Sequence, residues 1–126
     1  MAQLATDRRD LAPAVAVDYQ AIDRGQLARM TFGDRSLERE LLELFDRQAA
    51  MLVVRMRAGG AAAVAPLAHT LKGSASGIGA GEVARAAEAA EHAAGADASE
   101  CSAAVDRLAQ AVAEARALIA QLLREG

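Results

Sequence analysis

Only three of the 126 residues are aromatic, one is cysteine, two are proline and none is tryptophan. A lone cysteine, Cys101, excludes an internal disulfide and offers no thiolate cluster for a metal. No stretch alternates apolar and polar residues as a half-buried strand would. No apolar run approaches the roughly 18 residues needed to cross a bilayer. Asp7, Arg8, Arg9 and Asp10 precede the short Leu11–Val17 stretch, the wrong order for a secretory signal, so a cytoplasmic chain without membrane contact is expected. Nor is there a basic excess: 14 basic and 17 acidic side chains leave a formal charge of -3, which argues against a nucleic-acid partner.

Alanine is plentiful. Apolar residues make up 53% of the chain, and alanine supplies much of that share. Such a core relies on close helix contacts through small side chains, aided by the high helix propensity of alanine. The length suits one domain. Residues 1–17, which lack a clear period and contain Pro13, read as a flexible N-terminal arm, and residues 18–126 as a single helical domain.

Within that domain Asp23 to Met30 predicts a short helix, broken at Gly33-Asp34. The run Leu37, Leu41, Leu44, Phe45, Gln48, Leu52 and Met56 recurs at steps of three or four and predicts the buried face of a long helix. On this reading Leu41 to Phe45 is largely core. Asp34 or Ser36 caps its start and Gly59-Gly60 ends it. Val64, Leu67, Leu71, Ala75 and Ile78 define a second helix, broken by Gly79 and Gly81. A third, about Glu82 to Ala94, has the weak face Val83, Ala87, Ala90 and Ala94. Cys101, Val105, Leu108, Val112, Ala115, Ile119 and Leu122 mark the last, capped by Asp97 or Ser99. Short connections make neighbours antiparallel. The expectation is an all-α, antiparallel four-helix bundle with a short additional N-terminal helix.

One helix carries chemistry on its outer face. At about 100° per residue, His69 lies about 160° from the Leu67–Leu71 stripe and points outward. Lys72 falls about 60° to one side of it, Gly73 about 40° to the other, and Ser76 about 20° away. A neutral imidazole nitrogen is a nucleophile near physiological pH. A phosphoryl group on it adds negative charge that an ammonium one turn away can offset. Lys72 is the only lysine among the basic residues. Gly73 in a helix interior costs about 1 kcal/mol relative to alanine, and close approach of a partner surface would account for it.

The segment His69-Thr70-Leu71-Lys72-Gly73-Ser74-Ala75-Ser76-Gly77-Ile78-Gly79-Ala80 resembles the signature of the histidine phosphotransfer (HPt) family, H-x-L-K-G-[SA]-[SA]-x-x-[LI]-G-A. The likeness extends over about residues 22 to 124, carried outside the motif mainly by helix pattern. It implies that His69 is a phospho-acceptor, through Nε2, exchanging a phosphoryl group with receiver-domain aspartates in a two-component phosphorelay. It implies that Lys72 stabilises the phosphorylated state and that Gly73 and Ser76 belong to the receiver-docking face. At the family's usual spacing, the residue that bonds the other ring nitrogen falls on Glu91, for which a solvated helix glutamate is an equal reading. Arg85, Glu88 and His92 are lesser candidates, read as surface residues.

The resemblance implies a phosphohistidine carrier rather than an autonomous kinase, and a monomer is expected. No cofactor is expected on this chain, Mg²⁺ being supplied by the partner, a response-regulator receiver or hybrid histidine kinase. The acceptor helices of a sensor kinase fit less well, because Thr70 follows His69 where those carry an acidic residue and a later proline. A di-metal bundle lacks its Glu-x-x-His pairs, since residue 89 is alanine. A helical adaptor that binds receivers or kinases without phosphotransfer is the alternative.

Overall fold

A computed structural model describes residues 17–125. The expected N-terminal arm therefore lies, Val17 apart, outside the described residues. Among those described are five helices and no strand: α1 (Arg24–Met30), α2 (Arg35–Gly59), α3 (Ala61–Ile78), α4 (Gly81–Ala93) and α5 (Ala98–Glu125). Helices α2, α3, α4 and α5 pack in cyclic order, each against the next and α5 back against α2, while α1 lies on α3. This is the expected antiparallel four-helix bundle with a short additional helix.

Aspartates start three of the helices. Side chains of Asp23, Asp34 and Asp97 accept the backbone N–H of Gln26, Leu37 and Glu100 at 3.0, 3.1 and 2.8 Å. Each such cap contributes about 1 kcal/mol. Helix α3 ends at Gly79, whose φ of 83° is left-handed. A Cβ there would also lie 2.8 Å from the Asp23 carbonyl oxygen. The close approach is sealed by a 2.8 Å bond in which Asp23 N–H donates to the Gly79 carbonyl. Glycine at 79 thus lets the start of α1 sit on the end of α3.

The core is built from Leu42, Phe45, Leu52, Leu71, Leu108, Leu118 and Ile119, with alanines where helices draw nearest. Ala68 and Ala75 of α3 and Ala87 and Ala90 of α4 are completely buried, and α3 and α4 share the most extensive helix contact among the described residues. Small residues facing each other let helix axes draw close, interaxial distances being set within about 8–10 Å by the side chains at the contact.

Helix α2 corrects one expectation. Its buried face is Leu42, Phe45, Ala49, Leu52 and Met56, whereas Leu37 and Leu44 are exposed and Leu41 is only half-buried. Apolar side chains cover more than half of this helix, in two stripes about 100° apart. Either stripe satisfies the spacing, and bundle geometry selects the one containing Ala49, which fits a tight contact. In α3, likewise, Ala68 is buried and Leu67 is only partly covered.

Candidate functional site

His69 sits midway along α3 on its solvent side, with 67% of its side chain exposed. The alanine-lined approach of α4 brings Glu91 beside it. Glu91 Oε2 lies 3.1 Å from His69 Nδ1. An ionised carboxylate can only accept, so this hydrogen bond exists when Nδ1 carries the proton. In the neutral ring the lone pair is then on Nε2, which has no hydrogen-bond partner among the described residues. Glu91, 28% exposed, also faces Lys72: its Oε1 is 3.8 Å from Nζ. His69, Lys72 and Glu91 thus form one cluster, with a single carboxylate turned to both other groups.

The remaining candidates fall around this cluster. Ser76 is exposed one turn beyond Lys72, and its carbonyl accepts a 2.7 Å bond from Gln26 Nε2, tying α1 to the histidine-bearing face. Gly73 is exposed, and a Cβ built on it meets nothing within 4 Å. Packing among the described residues therefore does not require glycine there. Arg85 pairs with Glu82 at 2.8 Å on the surface of α4. Glu88 makes no ion pair among the described residues, and His92 is exposed without one.

Two different surfaces flank His69. Toward α4, a shallow polar depression is lined by Gln26, Lys72, Ser76, Arg85 and Glu88. Toward α2 lies an apolar groove, floored by Gly73, Ser74 and Gly77 and walled by Met30, Leu44 and Met51. Those three wall residues are 43%, 55% and 49% exposed. The sequence reading missed this groove because it assigned Leu44 to the core and singled out neither Met30 nor Met51. The signal was present in the seven-residue spacing of Leu37, Leu44 and Met51, a second apolar stripe on one helix.

Among the described residues no three His, Cys, Asp or Glu side chains gather as metal ligands, and no helix is long and apolar enough to cross a membrane. A family model, the Hpt domain, matches residues 36–124, from the first turn of α2 to the last turn of α5. No curated protein and no solved structure matches the chain.

Proposed function

The chain belongs to the Hpt domain family, and on that premise we propose that it carries a phosphoryl group on His69 between receiver-domain aspartates of a two-component phosphorelay. The observation that carries the reading is the hydrogen bond from His69 Nδ1–H to Glu91, because it leaves the Nε2 lone pair free on an exposed ring. In the forward step Nε2 attacks the phosphorus of an aspartyl phosphate on the docked receiver. The N–P bond forms as the P–O bond to aspartate breaks, and its electron pair returns to the carboxylate. The ring gains positive charge, shared through Nδ1–H with Glu91. Lys72 offsets charge on the phosphoryl oxygens. The same steps reversed load a second receiver.

Such transfer depends on in-line placement and charge neutralisation more than on covalent chemistry by the protein. The partner brings the aspartate and its Mg²⁺; this chain brings a presented imidazole and a surface to hold the receiver. The apolar groove beside Gly73 suits that task. Two of its three exposed walls are methionine, a flexible and polarisable side chain that adapts to differing partners. A carrier that both receives and donates must dock more than one receiver.

The test is label transfer from phosphorylated receiver domains to purified protein. Acid-labile, alkali-stable label on wild type, lost in His69→Ala, is the expected result. Label retained in His69→Ala moves the acceptor elsewhere, with His92 the first position to examine. Receivers that bind but never transfer would favour the non-catalytic adaptor instead.

A further inference from the structure

The Glu91 carboxylate serves two neighbours at once, and the resting charges explain why. Oε2 accepts from His69 Nδ1 at 3.1 Å while Oε1 is 3.8 Å from the Lys72 ammonium. With a neutral imidazole on Oε2, the positive charge facing Glu91 is the Lys72 ammonium, 3.8 Å from Oε1. Glu88, which lines the same depression as Lys72, makes no ion pair with it.

Loading His69 changes both sides of that balance. Attack through Nε2 leaves positive charge on the ring, directly against Glu91, and places the anionic phosphoryl oxygens on the exposed edge of the helix. Lys72, one turn along the same face on a flexible four-carbon stem, is within reach of either anion. We infer that Lys72 exchanges partners on phosphorylation, leaving Glu91 for the phosphoryl oxygens, so that Glu91 acts at full charge on Nδ1–H only while His69 is loaded. This inference rests on His69 being the acceptor. Every charge then has a partner in both states, and the ring proton is held most firmly in the donating state. A protonated phosphoimidazole is the better leaving group, so the exchange favours passing the phosphoryl group on.

Nuclear magnetic resonance reads this without any protein partner. Resting protein labelled with ¹⁵N-histidine reports the tautomer of His69, and ¹³C-glutamate reports the Glu91 carboxylate. Phosphoramidate then loads the protein: Nε2 attacks its phosphorus, the P–N bond breaks and ammonia leaves. In resting protein Lys72→Ala should raise the Nδ1–H fraction, because the carboxylate is no longer shared. Lys72→Arg should restore the wild-type value, and Lys72→Ala should have no effect on the tautomer in a Glu91→Ala background. On loading, the wild-type Glu91 carboxylate signal should move toward its position in resting Lys72→Ala, and Lys72→Ala should shorten the phosphohistidine lifetime several-fold. A loaded His69 with the Glu91 signal unmoved, or a resting tautomer indifferent to Lys72, overturns the exchange alone. Failure of His69 to accept the phosphoryl group overturns the carrier reading and the exchange with it.

Discussion

Gly73 offers a substitution whose effects on stability and on function should have opposite signs. It lies inside α3, where glycine costs about 0.5–1 kcal/mol against alanine through backbone entropy. A Cβ at this position meets no atom of the described residues within 4 Å, so none of them offsets the gain from adding one. Gly73→Ala should therefore raise the unfolding free energy by about 0.5–1 kcal/mol. For a chain of this length that is about 2–5 °C in Tm. The same methyl group protrudes from the floor of the apolar groove beside His69, the face proposed to meet the receiver. Transfer should slow several-fold in Gly73→Ala and further in Gly73→Gln, with the loss in the second-order rate constant and less in the step at saturating receiver. Urea unfolding gives the first quantity, and label transfer against receiver concentration gives the second. A destabilised Gly73→Ala would reveal a contact within the chain that the open space around Gly73 denies. Unchanged transfer in Gly73→Gln would refute the close approach of the receiver at this face.

Four further substitutions probe the groove and the packing that holds it. Leu44→Gln and Met51→Gln, both at exposed positions, should each change stability by less than about 0.5 kcal/mol while weakening receiver binding measured by calorimetry. Leu71→Ala removes a fully buried side chain beneath the His69 face and should cost about 2–5 kcal/mol in urea unfolding. Gly79→Ala combines left-handed backbone with a Cβ 2.8 Å from the Asp23 carbonyl oxygen. The conformational penalty of about 1–2 kcal/mol and the strained Asp23–Gly79 bond, about 1 kcal/mol, add to about 2–3 kcal/mol. Hydrogen exchange should then show α1 loosened before the bundle, and uniform protection across α1 and α3 would contradict the assigned contact.

Much of this protein is written locally. Helix starts follow from Asp23, Asp34 and Asp97, and helix ends from glycines at 60 and 79, because caps and left-handed turns are chosen within four or five residues. The register of α5 was readable because Cys101, Val105, Leu108, Val112, Ala115, Ile119 and Leu122 all fall on its buried face. His69, Lys72 and Gly73 could be placed on an outward face from helical angles alone, since all three share one helix.

Tertiary structure decided whatever depends on two helices meeting. In α2 two apolar stripes compete, and only the positions of α3 and α5 show that Leu42 and Ala49 turn inward while Leu44 and Met51 stay outside. The apolar groove exists because that choice sets exposed α2 side chains beside Gly73, Ser74 and Gly77 of another helix. The family resemblance pointed to Glu91 without separating a partner of His69 from a solvated surface residue. The close alanine contact between α3 and α4 is what sets its carboxylate 3.1 Å from Nδ1 and 3.8 Å from Lys72. A one-residue change in the intervening turn would rotate that carboxylate by about 100° and leave the imidazole without it.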